Sequence, residues 1–381
     1  MLTRHGWTAI AASVAAFVIG RVFGLLELFI VGAGLVVAIV VAVIVVRRNL
    51  PALHVQRIVR PSTVAVGEPA RVDIRVTNVD RRRAPHLQLW EPVGENGGAP
   101  MQLAVLAPGE SASAAYRVPT TRRGLLVAGP LRAARRDVLG LASRTFTLAG
   151  TDDVLIVPQH VHLPFPDAGS AGRLGQHLRM KAYGQTGSEF HSLREYVPGD
   201  DLRRINWKAS ARSEDLVVRE TSIEGVRRCT VMLDTTAAEY DADAFERAVS
   251  AAASVTIGAV AAGIGTRLVA PGIDLRGPDV AVNGLRWLAT VTTQPGPFDA
   301  AALGRGPSEG IGVVVIVTGH AGSPAVASAR SILSPDEALV VVAARGAEVS
   351  ARLMVADASS LQRLADSWAA LVSGTRTKVV A

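Results

Sequence analysis

The run CTVMLDTTAAEYDADAFERAVSAAASVTIGAVAAGIGTRLVA, residues 229–270, decides the fold class of the C-terminal part. Residues 229–233 form a short apolar burst that ends at Asp234. Phe245, Val249, Ala252, Val255 and Ala259 then recur at helical spacing. A strand-like run resumes at 266–269. Further toward the C-terminus, 313–317 and 339–342 read as buried strands, with helices expected at 282–291, 325–333 and 359–372. Continuous rather than alternating β-branched runs predict a mostly parallel sheet covered on both faces, a doubly wound α/β domain over 225–381. Such sheets bind ligands beyond the carboxyl ends of their strands, which points to residues 234–240 and 318–322.

Toward the N-terminus the chain reads GSEFHSLREYVPGDDLRRINWKASAR, residues 187–212, a concentration of charge in an otherwise apolar protein. Val197-Pro198-Gly199 reads as a turn and Asp200 as a helix N-cap, with Asp201 adding negative charge to the positive helix end. A helix from Asp200 would put Leu202, Ile205 and Ala209 on one face and Arg204, Lys208 and Arg212 on another, with Arg203 and Trp207 beside them. Two compatible readings follow. One is a cationic, indole-flanked surface for an acidic partner. The other is an internal clamp in which Glu189, Glu195, Asp200 and Asp201 pair with Arg194, Arg203 and Arg212 and fasten neighbouring domains.

Residues 151–224 are expected to link the α/β domain to a region of different period. Ala70, Val72, Ile74 and Val76 alternate with Arg71, Asp73, Arg75 and Thr77, as in a strand with one buried face. Further strands are expected at 54–59, 87–90, 102–106, 114–118 and 145–148, separated by turn chemistry at Pro61, Gly67, Asn78, Pro108-Gly109 and Gly124. This spacing predicts an immunoglobulin-like β-sandwich over 51–150. Arg81, Arg82 and Arg83 follow a turn signal and read as a solvated hairpin tip rather than as a face toward anionic lipid headgroups.

Residues 7–46 are almost wholly apolar, with Arg21 and Glu27 as the charges inside. One helix of that length would overshoot a bilayer, whereas two spans of roughly 17 to 20 residues fit, so a two-span hairpin is expected over 1–50. Arg4, Arg47 and Arg48 outside the spans, against Arg21 in the turn, place both ends and the folded remainder in the cytoplasm of a cell-membrane protein. The single cysteine, Cys229, allows no internal disulfide and suits a reducing compartment.

Several function classes are disfavoured. With aromatics at 4% and the basic residues interspersed, nucleic-acid binding is not expected. The phosphate loop, HExxH and Ser-x-x-Lys motifs do not occur, so the chain reads as a non-enzyme with no catalytic residue and no cofactor. His160 and His162, two apart on an expected strand, read as surface histidines.

Gly187, Glu189, Phe190, Leu193, Arg194, Tyr196, Gly199, Asp200, Arg203, Ile205, Trp207, Ala211 and Arg212 resemble the signature of the domain-of-unknown-function family 58. Arg122-Arg123-Gly124, Asp137 and Gly140-Leu141 are similar to that family's other landmarks. The resemblance implies a von Willebrand factor A-like fold for the α/β domain and a MoxR-type AAA+ ATPase as partner. It also implies a place to look for Mg²⁺, the Asp-x-Ser-x-Ser run of metal-binding von Willebrand A domains. Here that run is Asp234-Thr235-Thr236-Ala237-Ala238, in which Asp234 and Thr236 carry ligating oxygens and Ala238 carries none, and the later loop reads Thr318-Gly319-His320. The site looks degenerate. The expectation is therefore a membrane-anchored, cytoplasm-facing scaffold, an adaptor for the ATPase in complex assembly or envelope maintenance. The alternative is a Mg²⁺-dependent adhesion or hydrolytic module using Asp234.

Overall fold

The computed structural model describes residues 2–95, 97–167, 170–184, 190–197, 205–212, 215–221, 226, 228–304, 311–346 and 352–374, with the backbone course for 182–184, 190–194 and 219–221. The chain forms two compact units, Met1–Val157 and Pro158–Ala381.

The first unit opens with α1 (Arg4–Phe23) and α2 (Leu26–Arg47), both long and apolar enough to cross a membrane. The Thr3 hydroxyl caps α1, and Gly24 ends it in the left-handed conformation. The two helices pack antiparallel at small residues, where the buried Ser13 hydroxyl donates to the Gly32 carbonyl at 2.9 Å.

Ten strands follow: β1 (Leu53–Arg60), β2 (Thr63–Ala65), β3 (Ala70–Asn78), β4 (Leu87–Val93), β5 (Gly97–Leu103), β6 (Ser111–Val118), β7 (Gly124–Ala128), β8 (Leu131–Arg136), β9 (Ser143–Ala149) and β10 (Asp152–Val157). One sheet has the order β1-β3-β6. The other runs β2-β10-β7-β4-β8-β9, with β5 paired to β4. Val72 and Ile74 of the first sheet share one core with Leu87, Leu89, Leu131, Ala133, Val154 and Ile156 of the second. The two-residue period read in the sequence is literal in β3, whose inward residues are buried and outward ones are not.

The sheet region does not stop at residue 150. β10 pairs antiparallel with β7 and parallel with β2, so 151–157 belongs to this unit rather than to a linker. The strand expected at 102–106 lies earlier, at β5, because β5 pairs with β4 from Val93↔Gly97 to Leu87↔Leu103, and Leu106 instead makes an isolated bridge to Ala84.

Inside this core sits a polar cluster. Arg57 of β1 and Glu91 of β4 point inward from opposing sheets and form an ion pair, with side chains 4% and 0% exposed. Arg57 Nη1 also donates to Asp152 Oδ2 at 2.6 Å and Nη2 to the Gly150 carbonyl at 3.0 Å. Burial chiefly, with the Glu91 charge beside it, pushes the Tyr116 hydroxyl well above its ordinary pKa.

The second unit contains α3 (Arg173–Gly184), β11 (Phe190–Glu195), α4 (Trp207–Ser210), β12 (Val217–Thr221), β13 (Arg228–Leu233), α5 (Ala242–Ala261), β14 (Gly265–Ala270), β15 (Ile273–Arg276), α6 (Val280–Thr290), β16 (Gly312–Thr318), α7 (Pro324–Ser331), β17 (Glu337–Ala343), β18 (Met354–Asp357) and α8 (Leu361–Ser373). The main sheet has the order β15-β14-β13-β16-β17-β18, parallel except for the edge strand β15. Cys229, Val231 and Leu233 face a core built with α3, α5, α6 and α8, while Met232, Val314 and Ile316 face a second core built with α7. Helices thus cover both faces, as the unbroken apolar strands require. α5 also has the length and composition of a membrane span, but twelve of its residues are buried in this core. His160 and His162 lie in irregular backbone after β10, not on a strand, and both are exposed.

At the β15 edge, Asp274 accepts from Arg276 at 2.6 and 2.9 Å and from Arg267 at 2.9 and 3.0 Å. The Arg276 and then the Arg267 hydrogen bonds hold its carboxyl well below the usual carboxylate range. With the folded pKa depressed, this contribution is complete above the unfolded value of about 4 and disappears as pH falls through the folded value. Melting temperature should therefore fall more steeply with acid below about pH 4 in the wild type than in Asp274→Asn. Parallel acid limbs would remove Asp274 from the account.

Candidate functional site

Two places within the second unit answer the expectations from sequence. The first is the carboxyl edge of β13 and β16. Asp234 follows β13 directly and is fully buried. Its Oδ2 accepts from the Thr318 hydroxyl at the end of β16 at 2.8 Å, and its Oδ1 accepts from the Thr236 amide at 2.9 Å. The Tyr240 hydroxyl donates to the Asp234 carbonyl at 2.8 Å, and burial chiefly, then the Asp234 charge, raises its pKa. The following loop is stitched to Gln294, whose amide donates to the Thr235 carbonyl at 2.7 Å and whose carbonyl accepts from Ala237 at 2.9 Å. Next to it, His320 Nε2 lies 3.1 Å from Glu239 Oε2. Gly319 is required there, because a Cβ would run into the Glu239 carbonyl oxygen.

This arrangement locks a loop; as placed, it does not fit Mg²⁺. Both carboxylate oxygens of Asp234 are committed to internal donors, and Thr236 meets the carboxylate through its backbone amide. Ala238 offers no side-chain oxygen. Among the described residues no group of three His, Cys, Asp or Glu side chains is placed to hold a metal. The Thr318 and Gln294 contacts had no signal in local spacing; they join residues far apart in sequence.

The second place is the charged segment. β11 and β12 form an antiparallel ribbon in which Arg194 stands opposite Val218. Ile205 makes an isolated bridge to the same Val218, and the Asn206 amide donates to the Val217 carbonyl at 2.8 Å. The helix predicted from Asp200 does not run through Ile205 and Asn206; residues 200–204 lie outside the described residues, and a helix begins at Trp207. Strand-like pairing occupies Ile205, and the Asn206 side chain, accepting from the Ala209 amide at 3.3 Å, is the cap. A helix of Trp207–Ser210 carries Lys208, and Arg212 lies one residue past its C-cap, Ala211. Trp207 is 66% exposed, and Lys208 and Arg212 are exposed with it. Glu189, Asp200, Arg203 and Arg204 lie outside the described residues, as does the side chain of Arg194. Of the expected stripe, the described residues bring together Trp207, Lys208 and Arg212.

Among known proteins, the chain is 25% identical over 182 residues to a protein of Bacillus subtilis (strain 168) named "Uncharacterized protein YeaD", covering 48% of this chain and 45% of that one. The chain thus spans about half the length of the curated relative it matches. Among solved structures, the CARDB domain of the PF1109 protein from Pyrococcus furiosus aligns with 29% of this chain and 90% of its own length, at 18% identity and a TM-score of 0.22. A beta-glucosidase from Listeria innocua aligns with 28% of this chain and 16% of its own length, at 11% identity and a TM-score of 0.18. Residues 192–274, which hold both the exposed Trp207 segment and the Asp234 edge, match the family described as Protein of unknown function DUF58.

Proposed function

We propose that the protein is a membrane-anchored scaffold whose α/β unit, of von Willebrand factor A-like kind, docks a protein partner through the Trp207, Lys208 and Arg212 surface. The β unit is read as immunoglobulin-like and the folded units as cytoplasmic. The observation that carries this reading is the exposure of a large indole beside two cations inside the segment that matches the family. Trp and Arg are the side chains most enriched at binding hot spots, and burying an exposed Trp against a partner recovers apolar area that the free protein leaves wet. The committed oxygens around Asp234 favour docking over metal-dependent chemistry. The partner is proposed to be a MoxR-type AAA+ ATPase with an acidic docking face, by the family resemblance.

The test uses the full chain in nanodiscs and the purified MoxR-type ATPase encoded in the same genome. Trp207→Ala combined with Lys208→Glu and Arg212→Glu should weaken binding by more than about tenfold. Unchanged affinity with an intact melting transition would refute this surface, and no binding by the wild type would refute the partner.

A further inference from the structure

The turn between β8 and β9 presents an arrangement that the docking reading leaves unused. Its tip is Val138 and Leu139, 103% and 66% exposed. The turn is not slack. Asp137, itself buried, accepts from the Leu139 amide at 2.9 Å and from the Ala142 amide at 2.5 Å, and Gly140 takes left-handed backbone at φ +68°. The two apolar side chains are therefore held outward with no route into the core.

The same turn is built onto the ends of the apolar hairpin. Leu2 bridges Ala142, the Thr3 amide donates to the Leu141 carbonyl at 2.9 Å, and the Thr3 hydroxyl donates to the Gly140 carbonyl at 2.5 Å. Leu141 and Ala142 share an apolar cluster with Ala42 and Val46 in the last turns of α2. Arg135 and Arg144 donate to the carbonyls of Arg48 and Arg47 at 3.3 and 3.1 Å. Arg4, Arg47, Arg48 and Arg136 are exposed around this junction. Apolar side chains fixed in full exposure, level with the ends of two membrane-length helices and ringed by arginine, have the composition of an interfacial surface.

We propose that Val138 and Leu139 enter the headgroup layer of the bilayer that the hairpin crosses, and that the surrounding arginines bind anionic phospholipid there. This rests on reading α1 and α2 as membrane-spanning. The occupant follows from continuity with the helix ends and from the sign of the collar.

The test places an environment-sensitive fluorophore on the full chain in nanodiscs of phosphatidylcholine with phosphatidylglycerol. Single substitutions Leu139→Cys, Val36→Cys in mid-α2 and Ser62→Cys beyond the far end of β1 supply the thiols. Native Cys229 does not interfere, because it is buried and burial pushes its thiol up to about 12. Emission at position 139 should shift to the blue and be quenched by spin-labelled phospholipid, as at position 36, while position 62 is unaffected. Quenching at 36 without quenching at 139 overturns the proposal and leaves the hairpin intact. Quenching at neither overturns the hairpin reading and the proposal with it. A signal at 139 that is the same in pure phosphatidylcholine overturns the anionic preference.

Discussion

Glu91→Ala is expected to destabilise the protein by about 3–5 kcal/mol, measured by thermal or denaturant unfolding of the detergent-solubilised full chain. Glu91 is fully buried and its partner Arg57 nearly so, and the pair joins the two sheets across their common core. Removing the carboxylate leaves a guanidinium inside with Asp152 and the Gly150 carbonyl at its outer edge. Desolvating a charge that has lost its partner costs far more than the net worth of the pair. The double substitution Arg57→Met with Glu91→Leu separates the two quantities. It removes both charges and keeps volume, so it should recover most of the loss. If Glu91→Ala melts with the wild type, the pair has no energetic role. If the double variant is as unstable as the single one, the loss comes from packing rather than from a stranded charge.

Asp234→Ala should cost about 2–4 kcal/mol in the same assay, since it strands the buried Thr318 hydroxyl and the half-buried Thr236 amide, a buried donor being worth roughly 1–3 kcal/mol when left unpartnered. The damage should concentrate at the carboxyl edge of the sheet, where the loop bound to Gln294 loses the carboxyl group it is built around. Asp234→Asn keeps one acceptor oxygen and should cost less than the alanine variant. The same pair of proteins decides the metal question. Calorimetric titration with Mg²⁺ should give no binding heat in wild type or variant; heat present in the wild type and absent in Asp234→Ala would turn the site into a metal centre.

Apolar pattern made much of this architecture readable. The hairpin and the strands β13, β14, β16 and β17 stand out because each is a run too apolar to lie anywhere but in lipid or in a two-sided core. Strands with little to bury were not readable in the same way. β15 spans only Ile273–Arg276 with alternate residues exposed, and β5 begins Gly-Gly-Ala-Pro, which reads as turn chemistry until β4 pairs with it. The Arg57 and Glu91 pair did leave a trace. Each breaks the inward parity of its own strand, Arg57 between Val55 and Val59 and Glu91 between Leu89 and Val93. Local signals misplaced the helix in the charged segment for a different reason. Val217 and Val218 of β12 engage Asn206 and Ile205 from a distance, and at those two residues a tertiary pairing overrides the local helical pattern. The Thr318 bond to Asp234 lies beyond any reading of local spacing for the same reason.

The joint between the helices and the sheets has a mechanical consequence. A flexible tether would let the two parts reorient separately, but here the backbone of residues 2–3 is bonded into the β8–β9 turn and the carbonyls that end α2 are gripped by two arginines of β8 and β9. Helices longer than the local hydrocarbon thickness tilt to fit it. If α1 and α2 cross a bilayer, a change in its thickness that leans them would rock the sheets by a similar angle, the elbow working as a lever.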